Sequence, residues 1–214
     1  MIKNVLFDLG GVFVPLNRER CLANFRKIGV SDFEKILSEY HQGGYFLEYE
    51  KGLISSEEFR DAIRRGAGAP LLAGMEIDSA LASFLEEIPI YKIELLLSLK
   101  SRGYSVYLLS NSNEICIRKV KADFASHGLD FDTIFDIRFL SYEMKMVKPD
   151  KEIFYKVLEE SGIAAGETLF IDDYLPNIES AAEIGFKTLL YSVADNLTEK
   201  VEVFLAENIR HEIS

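Results

Sequence analysis

The sequence predicts an α/β fold, a Rossmann-like parallel sheet core flanked by helices, with an α-helical cap inserted after the first strand. Three observations carry this. Short apolar runs rich in Val, Ile, Leu and Phe recur along the chain, helical periodicity fills most gaps between them, and one long gap after the first run holds helix signals only. With 214 residues, 48% of them hydrophobic, the chain can bury a core without a disulfide or structural metal. The expected division is an α/β core over residues 1–15 and 88–214 and a helical cap domain over 16–87.

The strand candidates follow in order. They are Val5-Leu6-Phe7, Val106 to Leu109, Ile134 to Leu140, Leu169-Phe170-Ile171 and Thr188 to Tyr191, with Asp136 and Arg138 interrupting the third. A helix is expected from about Tyr91 to Ser101, ending at Gly103. Another follows Pro149, carrying Ile153, Phe154, Val157 and Leu158 on one face up to Gly162; a third carries Ile178, Ala181 and Ala182 up to Gly185. In the long gap, Ser31 with Glu34 and Ser55 with Glu58 each read as a capping box, leading Phe33, Ile36, Leu37 and Tyr40, and Phe59, Ala62 and Ile63. Helices inserted there sit at the carboxyl edge of the sheet, where such folds bind ligands.

Composition excludes several classes. The 24 basic and 35 acidic residues give a net charge of -11, which repels nucleic acid and anionic membrane. No apolar run approaches the length of a membrane span, and Asp8 interrupts the apolar start from Ile2 to Phe7 before any leader pattern forms. Cys21 and Cys116 form no metal-binding or disulfide pattern, so a reducing, cytoplasmic setting is expected. The acceptor pattern Asn196-Leu197-Thr198 reads as chance without a secretion signal.

The first, second and fourth strand candidates end in polar groups. Asp8 is followed by Leu9-Gly10-Gly11, the second strand runs into Ser110-Asn111-Ser112-Asn113, the fourth into Asp172-Asp173, and Lys148 lies just before Pro149. In a parallel sheet these ends share one edge, so three carboxylates, a hydroxyl, an amide and an ammonium converge on one crevice. Clustered carboxylates call for a cation, and oxygen donors of this kind suit Mg²⁺. Gly10 and Gly11 permit a tight turn with N–H groups turned to an anion; Ser110 and Lys148 add a donor and a positive charge. A phosphoryl group is the anion that commonly travels with Mg²⁺.

The segments FDLGG (Phe7 to Gly11), LLSNSN (Leu108 to Asn113), SYEMKMVKPD (Ser141 to Asp150) with Ile153-Phe154, and FIDDYLPNIESA (Phe170 to Ala181) resemble, in order, the four motifs of the haloacid dehalogenase-like phosphohydrolases. The resemblance is closest to the bacterial sugar-phosphate phosphatases that include α-D-glucose-1-phosphate phosphatase, and His41 to Phe59 is similar to the cap segment of that group. It implies that Asp8 is the nucleophile that forms an aspartyl-phosphate, with Asp8, the Gly10 carbonyl and Asp173 as Mg²⁺ ligands and Asp172 as a ligand or outer neighbour. It further implies that Ser110, Asn111, Gly11 and Lys148 hold the phosphoryl group, Lys148 and Ser110 acting in catalysis. Asn177 stands where many relatives carry a further acid.

Two positions depart from the family pattern. Gly10 replaces the aspartate that usually serves as general acid and base, a group worth about 10²- to 10⁴-fold. Glu48, Glu50 or water remain as substitutes. Lys145 replaces a usual glycine, which alters the loop of Lys148 or adds charge near the site.

Each residue also has a plain structural reading. Asp8, Asp172-Asp173, Ser110-Asn111 and Lys148 taken singly are turn formers or solvated loop residues, and only their co-occurrence argues for a site. Phe33, Tyr40, Tyr45 and Phe46 read as cap core, His41 as a substrate contact or a structural residue, and His127 and His211 carry no motif. The expected function is a Mg²⁺-dependent phosphatase acting on a small phosphorylated metabolite, a sugar phosphate by resemblance, as a monomer or weak homodimer. The alternatives are a metal-independent haloacid dehalogenase and a non-enzymatic phosphate-ligand binder or interaction protein.

Overall fold

The computed structural model describes residues 1–38 and 44–213. The chain begins with β1 (Asn4–Phe7) and then runs through α1 (Arg18–Lys27), α2 (Phe33–Ser38), α3 (Tyr45–Glu50), α4 (Ser56–Gly66) and α5 (Gly74–Ala82). It continues through α6 (Ile90–Ser101), β2 (Ser105–Ser110), α7 (Glu114–Ser126), α8 (Phe131–Ile134), β3 (Ile137–Leu140) and α9 (Ser141–Met144). The last part holds α10 (Lys151–Ser161), β4 (Thr168–Asp172), α11 (Leu175–Ile184), β5 (Lys187–Leu190) and α12 (Leu197–Ile213).

All five strands join one parallel sheet in the order β3-β2-β1-β4-β5. Phe7 at the end of β1 pairs with Leu108 on one side and Ile171 on the other, so Asp8, Ser110 and Asp172 emerge together at the carboxyl edge. Strand order reverses around β1, which opens a crevice at that edge.

Alternation along the strands separates two apolar layers. Val5, Phe7, Val106, Leu108, Leu169 and Ile171 join the layer that includes Ile93 and Leu96 of α6, and this layer runs on into Leu22, Phe25, Phe33, Phe46 and Phe59 of the inserted helices. Leu6, Tyr107, Leu109 and Phe170 face Ile153, Phe154 and Val157 of α10 and Ile178 and Ala181 of α11. Gly162 and Gly185, in the left-handed region at φ 69° and 104°, end α10 and α11 where the sequence places the stops.

The inserted helices return to the sheet through two connecting segments that lie side by side. Asn17 N–H donates to the Phe84 carbonyl at 2.7 Å and Glu86 N–H to that of Pro15 at 2.9 Å. Arg20 secures the join through the carbonyls of Ser83 and Leu85, at 2.7 and 2.8 Å.

Local expectations divide. The Ser55–Glu58 box is present, Glu58 Oε2 accepting from Ser55 N–H at 2.7 Å. The Ser31–Glu34 box is not: α2 starts at Phe33, and Glu34 instead meets Arg18 and Arg26 at 3.2 and 3.3 Å. The third strand is shorter than expected because residues up to Ile134 close a helical turn and Asp136 accepts from Val106 N–H at 2.7 Å. The last strand is shifted one residue earlier, to Lys187–Leu190. Phe33 and Phe46 are buried and Tyr45 packs against the same core, beside Phe59, whereas Tyr40 and His41 lie outside the described residues.

Candidate active site

The ends of β1, β2 and β4 and the loop before α10 meet at a cavity of about 320 Å³ whose remaining wall comes from the inserted helices and their connections. Asp8, Gly10, Ser110, Asn111, Lys148, Asp173 and Asn177 line the sheet side; Arg18, Leu37, Phe46 and Glu50 belong to the inserted part.

A buried ammonium organises the acids. Lys148 Nζ lies 2.8 Å from Asp8 Oδ1 and 2.6 Å from Asp172 Oδ2, and Lys148 is only 4% exposed. Its backbone is fixed by a reciprocal pair with one side chain: Asn111 Nδ2 donates to the Lys148 carbonyl at 2.9 Å, and Lys148 N–H donates to Asn111 Oδ1 at 2.8 Å. Asn111 thus positions Lys148 through its side chain. Ser110 is buried with its Oγ 3.3 Å from the Asn111 carbonyl.

Asp172 is sealed in by its partners. Besides Lys148 it accepts from Asn177 Nδ2, 3.0 Å from each oxygen, and from Tyr174 N–H at 2.8 Å. It does not line the cavity, so in this arrangement Asp172 holds Lys148 and α11 in place, while Asp173 faces the open side.

Asp8, Asp172 and Asp173 each offer an oxygen, all within 4.8 Å of one another. One ammonium cannot balance three carboxylates. Burial pushes Asp8 up to about 8; Lys148 pulls against this, and Asp172 and Asp173 add to it. Burial and then the Asp172 charge raise Asp173 as well. Burial alone would lower the Lys148 ammonium, but Asp172 and Asp8 outweigh it and hold it raised. Such a site gains from a divalent cation.

Two observations fit one. Asn177 Oδ1 is buried and has no protein partner. Gly11 is a cradle for Asp173: a Cβ there would lie 2.0 Å from Asp173 Oδ2, and the residue sits at φ 81°, which favours glycine.

The structure corrects the expected role of Gly11. Its N–H donates to the Val14 carbonyl at 2.9 Å instead of facing an anion, and Gly11 does not line the cavity. Val14 N–H in turn donates to the Leu9 carbonyl at 2.7 Å, so the turn after Asp8 is closed on itself. Lys145 adopts the left-handed conformation, φ 61°, that a glycine supplies at that place. Its exposed ammonium donates to the Gly52 carbonyl and does not line the cavity, so the expected charge goes to the inserted segment.

Of the two candidate cap acids, Glu50 is buried and lines the cavity, whereas Glu48 is exposed and does not. Phe46 serves both as cap core and as cavity wall. Sequence reasoning missed Arg18, which carries no motif, and Ser141, which lies inside a recognised motif yet acts through backbone contacts. Ser141 Oγ bonds the Glu50 carbonyl at 2.6 Å and both backbone groups of Ser112, at 2.9 and 3.1 Å.

A parallel α/β sheet with an acidic, lysine-braced crevice at its carboxyl edge is the frame of a hydrolytic enzyme class, and comparison with known proteins specifies which. The haloacid dehalogenase-like hydrolases match residues 2–185, and the chain belongs to that family. The chain is 37% identical over 189 residues to a D-ribitol-5-phosphate phosphatase of Bacteroides thetaiotaomicron, covering 88% of this chain and 91% of the relative. Among solved structures, a haloacid dehalogenase family enzyme from the same organism, in complex with magnesium and inorganic phosphate, is 45% identical with a TM-score of 0.85, over 92% of this chain and 97% of that one. A predicted hydrolase of the family from Porphyromonas gingivalis is 37% identical with a TM-score of 0.89, over 96% and 98%. No helix among the described residues is long and apolar enough to cross a membrane.

Proposed function

We propose that this hydrolase is a Mg²⁺-dependent phosphatase of a small phosphorylated metabolite, a sugar or polyol phosphate, working through an aspartyl-phosphate on Asp8. The observation that carries the reading is the placement of Asp8 in the cavity beside Lys148, with Asp173 at hand for a cation. The relatives named above, one a ribitol-phosphate phosphatase and one holding magnesium and phosphate, support it.

In this reading the Asp8 and Asp173 carboxylates and the Gly10 carbonyl hold the cation, and Asp172 positions Lys148. The cation would neutralise charge on the transferring phosphoryl group. A free oxygen of Asp8 attacks phosphorus and the ester bond breaks. Ser110 Oγ and the Asn111 N–H hold phosphoryl oxygens, and Lys148 offsets their charge as the loose transition state forms. Water then cleaves the acyl phosphate and returns the Asp8 carboxylate. Residues 16–87 act as a cap that completes the cavity over a core of 1–15 and 88–214.

Two buried free cysteines support a reducing, cytoplasmic setting. The dehalogenase alternative has less behind it, since a metal-free mechanism has no use for Asp173 beside Asp8. A screen of phosphorylated metabolites with and without Mg²⁺ tests the proposal. Phosphate release that requires Mg²⁺ and is fastest on sugar or polyol esters supports it; halide release without Mg²⁺, or no phosphate release from any ester, counts against it.

A further inference from the structure

We infer that Glu50 is the general acid and base of this reaction, in place of the side chain that Gly10 lacks; the inference rests on the phosphatase reading above. Among the described residues that line the cavity, the carboxylates are Asp8, Asp173 and Glu50. Asp8 is held by Lys148 and Asp173 lies against Gly11, both on the sheet side, whereas Glu50 is the carboxylate that reaches the cavity from the end of α3. It comes from the inserted helices, the side of the cavity that receives the leaving group when the phosphoryl end sits on Asp8.

Glu50 is also fixed in register with the phosphoryl-binding loop. Its carbonyl accepts from Ser141 Oγ, which in the same place bonds Ser112, two residues after Ser110. The preceding residue is anchored as well: Tyr49 Oη meets Ser56 Oγ at 2.7 Å and accepts from Ile115 N–H at 3.3 Å, at the start of α7. On the other side, Lys145 holds the Gly52 carbonyl. Three contacts within four residues therefore tie the end of α3 to the sheet edge, as a proton donor placed from a separate segment requires. The Cys116 thiol, which also lines the cavity from α7, is held far above its ordinary value, chiefly by burial, so it does not compete for the role.

The steps balance. As Asp8 attacks phosphorus, the bond from phosphorus to the ester oxygen breaks and the Glu50 carboxyl gives its proton to that oxygen, releasing the alcohol. The Glu50 carboxylate then takes a proton from water as the water oxygen bonds to phosphorus. The bond from phosphorus to Asp8 breaks, inorganic phosphate leaves, and Glu50 is protonated again for the next cycle.

The test compares Glu50→Gln, Glu50→Asp and Glu48→Gln with the unaltered chain, on an alkyl phosphate and on nitrophenyl phosphate, with Mg²⁺ present. Glu50→Gln is expected to lose about 10²- to 10⁴-fold in kcat on the alkyl ester. On the activated aryl ester, whose leaving group needs little protonation, it is expected to release one burst of nitrophenolate and then stall, with the phosphoryl group still on the protein by intact mass. Glu50→Asp should recover part of the loss and Glu48→Gln should behave as the unaltered chain. Inorganic phosphate binding and circular dichroism of Glu50→Gln, both unchanged, show that the variant is folded. Equal losses on the two esters with no retained phosphoryl group overturn the inference. Failure of the phosphatase reading is distinct: the unaltered chain then cleaves neither ester, and the inference falls with it.

Discussion

The Lys148 ammonium stands 2.8 Å from Asp8 Oδ1, buried and with the fully enclosed Asp172 as its other partner. The pair therefore has a structural and a chemical side. Lys148→Met leaves the enclosed Asp172 carboxylate without its cation, and removing one member of a buried ion pair costs about 3–5 kcal/mol. We expect a stability loss of that order by urea unfolding and a fall in kcat of about 10³-fold. Unchanged stability would mean that the buried contact between Lys148 and Asp172 does not hold the fold together.

Asp8→Asn keeps an oxygen to accept from Lys148 and from Leu9 N–H, which meets Asp8 Oδ1 at 2.7 Å. It removes the nucleophile, so turnover is expected to vanish. Stability should move the other way. The folded-state value, about 8, lies above the ordinary 3.8, so the contribution of Asp8 is favourable at low pH and is lost as pH rises from 3.8 through 8. The metal-free Asn variant should then be more stable near neutral pH, by about 1–3 kcal/mol, and equally stable near about pH 3. Urea curves at the two pH values check this.

Gly11→Ala places a Cβ 2.0 Å from Asp173 Oδ2 at a backbone conformation of φ 81°. Strain of about 1–3 kcal/mol and a displaced carboxylate follow. Mg²⁺ affinity, read by calorimetry with the metal alone, is expected to weaken at least about tenfold, as for loss of a group that orients a ligand. Full retention of affinity would show that Asp173 takes no part in holding the cation.

The groups at the sheet edge were legible in the sequence because strand ends in a parallel sheet are fixed by topology: Asp8, Ser110 and Asp172 follow directly from where β1, β2 and β4 stop. What was not legible depended on three-dimensional pairing. Nothing local tells that Asp172 is enclosed by Lys148 and Asn177 while its neighbour Asp173 faces the cavity. Nor does the spacing of Gly10 and Gly11 disclose that the Gly11 amide closes on Val14. The Ser31 box failed for a similar reason: two arginines from α1 offer Glu34 more than its own helix start does. Choosing Glu50 over Glu48 needed the phase of a short helix, which periodicity does not set over six residues.

Lys92 offers a separate check on the scaffold. Its ammonium is 2% exposed, donates to the Val12 carbonyl just after the Gly10–Gly11 turn, and lies 5.4 Å from the Tyr191 ring. Burial lowers it to about 8 from 10.5. The folded-state value is below the unfolded one, so the charged form costs stability below about pH 8, and the cost fades as pH rises towards 10.5. Relative to Lys92→Met, the unaltered chain should gain about 1–2 kcal/mol between about pH 7 and about pH 9.5. A parallel response of the two proteins would contradict the assignment.

Covalent transfer to Asp8 is the step on which the account turns, and it can be seen directly. A phosphate ester labelled in its phosphoryl group is mixed with the protein and Mg²⁺, quenched in acid within one turnover, and digested. The label should appear on the peptide that carries Asp8 and disappear with further time. Turnover that proceeds with no labelled peptide, or with the label on a different residue, would contradict it.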